Sequence, residues 1–340
     1  MEEGARIGVL AAKEATAAAL HAKATVCRPK RRPSEGGEQK GEVKELLGGL
    51  RPFQKTEKVR VSEGGLPVLG EYDVVVVGGG TGGAPTGIGA GRLGAKTLLI
   101  EHLYGLGGVG TLGMIGKYWY GNACGFTAEH DTGVAALGAA VHVVGKSEWW
   151  RRENRRAGVE IWFGAMGCGT LTEGNRVTGV VVATPAGRGV VLAKSVVDAT
   201  GNAEVAASAG AETVFVGADE LAVQGAGLSL RKLGASYINS DFGYVNDSDA
   251  ADLWLFGVRG RAGAKGAWDV SQLVETRERQ RIVGDAWVTP LDIVNDRTFP
   301  DTIVRARSNF DSHGYSIADI TYVSEPRDPK GGRLICEANV

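Results

Sequence analysis

The sequence predicts an α/β protein: a mostly parallel sheet, a three-stranded antiparallel meander inserted into it, and a partial α+β region beyond. Three observations predict it. Between Tyr72 and Glu101 the chain reads strand, glycine turn, helix, strand, acid. From Val159 to Val197 three β-rich runs succeed one another with only short turns between them. The last run ends in a small-residue turn, Asp198-Ala199-Thr200-Gly201-Asn202, from which a helix-forming segment continues. Strands alternating with helices are the pattern of a parallel sheet.

Residues 1–70 differ in character from the rest of the chain. Glu14 to Ala24 is alanine-rich and helical in propensity. Cys27 to Pro33, CRPKRRP, is a basic run bounded by prolines, and with the polar SEGGEQKGE after it reads as a solvated linker. Glu42 to Leu47 is a short helix candidate that stops at Gly48-Gly49.

From Tyr72 the chemistry becomes specific. The apolar run Val74 to Val77 suits a short buried parallel strand. Gly78, Gly80 and Gly83 then fall at G-x-G-x-x-G spacing. The first glycine permits a tight turn, the second lets backbone approach a pyrophosphate, and the third lets helix and strand pack closely. The next helix directs its first N–H groups and positive dipole end at the phosphates. Gly83, Gly87 and Gly91 are four apart, so they share a face, and that face is expected to lie against the sheet where side chains do not fit. Thr97 to Ile100 form a second buried strand ending at Glu101, where a carboxylate accepts hydrogen bonds from adenosine ribose hydroxyls and disfavours a 2′-phosphate. With 53 glycines in 340 residues the spacing alone is weak; strand, helix and terminal acid in register make a Rossmann-like dinucleotide site the reading. FAD and NAD are not separated at this point.

A second glycine loop, Gly105 to Thr111 (GLGGVGT), comes directly after Glu101. Its N–H groups can form an anion-binding concavity on the same pyrophosphate, with the Thr111 hydroxyl as a further donor. Tyr118, Trp119 and Tyr120 are flat and partly polar, suited to a ring-binding pocket or to plain core. Trp149 to Arg156 is a charged helix candidate. Val159–Thr172, Val177–Thr184 and Val190–Val197 are the three meander strands, with turns at Glu173-Gly174-Asn175 and Pro185-Ala186-Gly187. A helix is expected over Asn202 to Ala209.

Composition bounds the rest. A net charge of −1 gives no reason to expect nucleic acid or an anionic membrane as partner. No apolar run approaches the ~20 residues of a membrane span, and two acids near the start argue against a secretory signal. Cys27, Cys124, Cys168 and Cys336 form no C-x-x-C pair and read as free thiols, so a cytoplasmic location is expected. The five histidines show no metal-ligand spacing.

The residues VVVVGGGTGGAP, TLLIE, HLYGLGGVGT, KYWYGN and VVDATGNAEVA, and later ETRERQRIVGD with TFPDTIVRARSNFDSHGY, give the chain its resemblance. It resembles the FAD-dependent oxidoreductases of the glutathione-reductase-like class, from about residue 51 to about 330. The resemblance implies FAD rather than NAD. It places Gly78, Gly80 and Gly83, with Thr81 and Gly82 between them, on the pyrophosphate. It places Glu101 on the adenosine ribose, and Gly107, Gly108 and Thr111 on the phosphate–ribityl side. Asp198, Thr200 and Gly201 fall near the adenosine half, and Met166 is assigned a backbone bond to adenine. It also implies a third cofactor segment late in the sequence, a strand and glycine turn at a helix start. None is found before Val340, so a fragment or truncated reading frame is expected.

Three regions are expected on this reading: an extension or linker over 1–70, a FAD-binding domain over 71–215, and an incomplete substrate-facing domain over 216–340. In the last, Arg277 and Arg281 share a face if their segment is a helix, and a guanidinium pair can clamp an anionic substrate or the flavin pyrimidine edge. Salt bridges to Glu275 and Glu278 are the competing use. His313 is a candidate general acid or base. The expected function is hydride transfer between flavin and a small organic substrate. The alternatives are a nicotinamide-dependent dehydrogenase or a non-catalytic relic of the fold.

Overall fold

The computed structural model describes residues 2–18, 39–46, 56–59, 64–113, 116 and 123–216, together with the short pieces 251, 254–255, 258, 279–285, 295, 297–300, 304–307 and 334–338. The chain divides into two units, residues 1–117 with 123–212, and residues 118–122 with 213–340.

The first unit holds a seven-stranded sheet. Its elements in chain order are α1 (Glu2–Ala18), β1 (Glu42–Glu45), β2 (Val68–Val77), α2 (Gly83–Arg92), β3 (Thr97–Glu101), α3 (Gly125–Ala136), α4 (His142–Arg156), β4 (Glu160–Phe163), β5 (Met166–Glu173), β6 (Arg176–Thr184), β7 (Gly187–Asp198) and α5 (Glu204–Ala209). The sheet order is β1-β5-β6-β7-β2-β3-β4. β7, β2, β3 and β4 run parallel, with Val77 opposite both Ile100 and Asp198. β5, β6 and β7 form the antiparallel meander, so β7 belongs to both parts. This is a Rossmann-like parallel sheet carrying a meander, as the sequence pattern predicts.

Residue alternation builds the two faces. Val74, Val76 and Leu99 point to one side and pack with Ala84, Ile88, Trp149, Trp150, Val159 and Ala12 of the helical layer. Val75, Val77, Leu98 and Ile100 point to the other and pack with Val180, Val182, Val191 and Val205.

Several elements differ from their sequence-based expectation. Glu42–Glu45 is an edge strand paired antiparallel with β5, not a helix. Four residues are too few to nucleate a stable helix alone, and pairing with β5 satisfies their backbone instead. The stretch 1–70 thus contributes α1 and an edge strand to this unit. The expected strand Val159–Thr172 is two strands. Gly164, at φ +66°, breaks it; β4 stays parallel to β3 while β5 leaves to pair with β6. Helix α4 begins at His142, about two turns before the expected start at Trp149.

The glycine face of α2 is also shared differently. Gly83 lies against the Gly78 carbonyl, with the Ala199 side chain 3.0 Å from where a Cβ would stand. Gly87 and Gly91 instead meet Asn154 and Ala157 at the end of α4. On the far side Gly4 and Gly8 of α1 lie on the backbone of Gly82 and Thr86, and the Thr86 hydroxyl donates to the Gly4 carbonyl (2.7 Å). Small residues therefore let α2 be approached by the sheet turn, by α4 and by α1.

In the second unit, β8 (Thr213–Val216) pairs antiparallel with β9 (Arg279–Ile282), and β10 (Val304–Arg307) with β11 (Leu334–Ala338). The condition of a helix through Arg281 is not met: Arg279–Ile282 is a strand, favoured by the β-branched Ile282-Val283 at its end and by a facing strand.

Candidate cofactor site

The carboxyl ends of β2, β3 and β7 converge on one spot, the place where open parallel sheets present their ligands. After Val77 the chain turns at Gly78, whose φ of +95° a side chain would resist and whose Cβ would run into the Ala199 carbonyl. The turn is pinned on both flanks. Gly78 N–H donates to the Ile100 carbonyl (2.8 Å) and Ala199 N–H to the Val77 carbonyl (2.8 Å). Helix α2 starts directly after, with Gly82 as its N-cap, no side-chain cap and no acid in its first turn. An uncapped, uncompensated N-terminus carries partial positive charge and N–H groups without intrahelical acceptors.

Glu101 lies under this turn, 5% exposed. Its Oε2 accepts the Gly79 N–H (2.7 Å) and its Oε1 accepts the Leu103 N–H (2.8 Å), with His102 Nδ1 at 3.0 Å. The carboxylate that the sequence reserves for a ribose thus also ties the first turn to the start of the second glycine loop. Oε2, with one donor, keeps a further lone pair for a ligand hydroxyl.

The second loop lies on the first. Gly107 N–H donates to the Gly79 carbonyl (2.8 Å), and the Thr81 hydroxyl donates to the Gly107 carbonyl (3.2 Å). A Cβ on Gly108 would stand 2.9 Å from the Gly80 Cα, so the two backbones meet where only glycine fits. Thr111 has a different role from the expected phosphate donor. It is buried, and its single hydroxyl proton goes to the Leu106 carbonyl (2.7 Å), which closes the loop on itself.

The turn after β7 is likewise self-tied. Asp198 Oδ1 accepts the Thr200 N–H (3.1 Å) and hydroxyl (2.6 Å), while its Oδ2 accepts the Ala206 N–H of α5 (2.9 Å). Asp198 and Thr200 therefore shape the turn and cap α5, and Gly201, at φ +79° with open space around it, is the member of that trio left facing outward. Ala203 is the sole non-glycine residue at positive φ among the described residues, and it ends this turn. Met166 opens β5 and is 54% exposed. The preceding Ala165 N–H donates to the Glu101 carbonyl (3.3 Å), and Gly167 lies against the Val77 side chain, so Met166 crosses the carboxyl ends of β3 and β2.

The supports of this site are less visible in sequence. Helix α4 backs the second loop: Ser147 reaches Gly105, Trp150 reaches Gly107, and the Lys146 ammonium lies near Gly110 and donates to the Gly116 carbonyl (3.2 Å). Asn154, buried on the same helix, donates to the Ala84 and Trp150 carbonyls (3.0 and 2.9 Å) and joins α4 to α2. His130 of α3 is fully buried and stacks on Trp150 (ring centroids 4.6 Å apart, planes 25° apart) with Trp149 edge-on at 4.9 Å. The signal for these was the spacing Lys146, Trp150, Asn154, one residue per turn, masked by the charges around it.

Arg281 is exposed on β9, opposite Val214. Arg277, His313 and the aromatics Tyr118, Trp119 and Tyr120 lie outside the described residues. Among the described residues no cluster of three or more His, Cys, Asp or Glu could hold a metal, and no helix is long and apolar enough to cross a membrane.

A parallel sheet with a glycine-built turn at a helix start and a carboxylate at the next strand tip defines a dinucleotide-binding protein of the Rossmann type. Residues 73–254 match the family model described as FAD dependent oxidoreductase, and the chain belongs to that family. Its cofactor is accordingly FAD. The residues present fit it: an uncapped helix N-terminus, backbone clear of side chains at Gly82, and a strand-tip acid.

Among solved structures the chain is similar to a geranylgeranyl bacteriochlorophyll reductase-like protein from Thermoplasma acidophilum (18% identity, 61% of this chain and 66% of that one, TM-score 0.41). It is also similar to the OxyS anhydrotetracycline hydroxylase from Streptomyces rimosus (18%, 62% and 54%, TM-score 0.40) and to the myxobacterial chondrochloren halogenase CndH (20%, 46% and 43%, TM-score 0.35). The chain spans less than two thirds of the length of each of these. A comparison with curated proteins found no match.

Proposed function

We propose that this chain holds FAD across the two interlocked glycine turns and serves hydride transfer to or from a small organic substrate. The observation that carries the reading is the direct meeting of Gly80 and Gly108 above the Glu101 carboxylate. Two backbones that close leave main-chain N–H groups, and not side chains, facing the cleft. FAD, when bound, supplies the redox chemistry by accepting or giving a hydride at its N5.

The chain's own residues bind and orient. The first turn of α2 meets the pyrophosphate with N–H groups and the positive end of the helix dipole. Glu101 accepts from the ribose hydroxyls, and the backbone at Met166 meets the adenine. Gly107 and Gly108 bound the phosphate–ribityl side, and Gly201 leaves room for close approach. Residues 71–215 are on this reading the cofactor-binding region and residues 216–340 the substrate-facing one. Arg277 and Arg281 would then clamp an anionic group, and His313 would hold or release a proton.

The test is a titration of the purified protein with FAD, tracked by visible absorbance and flavin fluorescence. Bound flavin with a defined stoichiometry supports the reading, and a protein that stays colourless at saturating FAD overturns it. Glu101→Ala should weaken FAD binding about tenfold or more, through loss of charge-assisted hydrogen bonds worth roughly 1.5–3 kcal/mol. An unchanged affinity would remove Glu101 from the ribose site.

A further inference from the structure

The second glycine loop has an unusual backing. Helix α4 offers it Ser147, Lys146 and Trp150, and the lysine is only 3% exposed. Its ammonium nitrogen lies 3.8 Å from where a Gly110 Cβ would stand and donates to the Gly116 carbonyl (3.2 Å). Gly110 is two residues beyond Gly108, which touches Gly80 of the first turn. The charge therefore stands beside the last turn of the second loop, two residues along the chain from the glycine that meets the first turn.

A buried ammonium carries a desolvation cost that nearby anions offset. Burial pushes the Lys146 ammonium below its ordinary pKa, and Asp131 opposes that shift. Among the described residues the titratable neighbours are Asp131 and His130 of α3 and His142 one turn earlier on α4. Asp131 is half-exposed and already bonded to His130 Nδ1 (2.8 Å). A leucine or methionine would fill the lysine's place on α4 without the desolvation penalty. A cation at this position gains further if the cleft side adds the two negative charges of a pyrophosphate. Glycine backbone between them leaves the interaction less screened than bulk water would.

We propose that Lys146 is a positioning residue of the cofactor cradle, a fixed buried cation beside the second glycine loop that attracts the pyrophosphate electrostatically. The proposal rests on the FAD reading of the cleft. It requires that FAD affinity depend on the charge at residue 146 and not merely on the volume there.

The experiment compares Lys146→Met and Lys146→Arg with the unaltered chain. FAD dissociation constants are measured by flavin fluorescence at low and high salt, and the melting temperature of the FAD-free protein is measured alongside. The Met variant should bind FAD at least about tenfold more weakly and lose much of the salt dependence. The Arg variant should recover affinity toward that of the unaltered chain. The FAD-free Met variant should melt no lower than the unaltered protein, since a buried charge has gone. A role in packing alone predicts the reverse, a lower melting temperature with no recovery by arginine, and that result overturns the proposal. So does a Met variant that binds FAD within twofold of the unaltered chain. Should the Met variant not fold, Lys146→Gln carries the same test, being neutral yet able to hold the Gly116 carbonyl: weakened FAD binding supports the proposal and retained binding overturns it. Failure of the unaltered chain to bind FAD would instead defeat the reading of the cleft itself, which the first titration shows separately.

Discussion

The two glycine turns of the cleft look alike in sequence and are built on different principles. The turn at Gly78–Gly83 is shaped by main chain pressed on main chain: Gly78 on Ala199, Gly83 on Gly78, Ala84 N–H on the Gly80 carbonyl (3.0 Å). The loop at Gly105–Thr111 is backed by side chains of another element, Ser147 and Trp150, and closed by its own Thr111. The first is fixed by what is absent at each position, the second by what stands behind it. Substitutions that touch the first turn should therefore act through steric exclusion, and those that touch the second through lost support.

The largest effect should come from that support. Trp150 is almost wholly buried, stacks on His130 and touches Gly107. Trp150→Ala should cost roughly 3–5 kcal/mol of stability, read by urea denaturation of the FAD-free protein, and should weaken FAD binding further than it weakens the fold. If stability drops while FAD affinity of the remaining folded protein is unchanged, the second loop does not depend on α4 and the contrast between the turns fails.

Gly83→Ala sharpens the other side of the comparison. Its Cβ would collide with the Gly78 carbonyl and press on Ala199. Overpacking of this kind costs about 1–3 kcal/mol, and α2 should withdraw from the sheet with weaker FAD binding. Alanine is otherwise the better helix former, so an alanine variant as stable as the original would show that close approach is not what glycine provides there.

These expectations also mark what was legible. Gly78, Gly80, Gly83 and Glu101 could be read because their requirement is local and written in fixed spacing: a positive φ, a close approach, a strand-tip acid. The strands β2, β3, β6 and β7 announced themselves by runs of valine and leucine. Glu42–Glu45 did not, because its partner β5 lies over a hundred residues away and the local composition favoured a helix. The split at Gly164 was hidden because a single glycine inside a β-rich run can equally be a bulge. Lys146, Asn154 and His130 were missed for a related reason. Polar residues on a helix are read as its solvated face, and only packing reveals that α3 and α4 turn them inward. Whether Arg279–Ile282 is helix or strand stays open in the sequence because the partner that settles it, Thr213–Val216, is also distant.

The last and smallest expected effect is a pH dependence that belongs to the supported loop alone. His130 is fully enclosed, its Nδ1 paired with Asp131 and its Nε2 without a partner among the described residues. Burial pushes its pKa below the ordinary 6.5; Asp131 opposes this, while Lys146 and His142 reinforce it. Above 6.5 the ring is neutral whether the chain is folded or not, and its contribution to stability is complete. As pH falls below 6.5 the unfolded chain takes the proton first, and stability declines until the pH passes the folded value. The slope for this one group should reach at most about 1.4 kcal/mol per pH unit. Urea denaturation between about pH 7.5 and 4.5 should show it as proton uptake on unfolding, of at most about 1 proton. His130→Phe keeps a ring against Trp150 and cannot titrate, so it should flatten that part of the profile. The first turn holds no buried histidine, so Gly83→Ala should leave the slope as it was; a slope that vanishes with Gly83→Ala and survives His130→Phe would place the proton elsewhere and undo the distinction between the two turns.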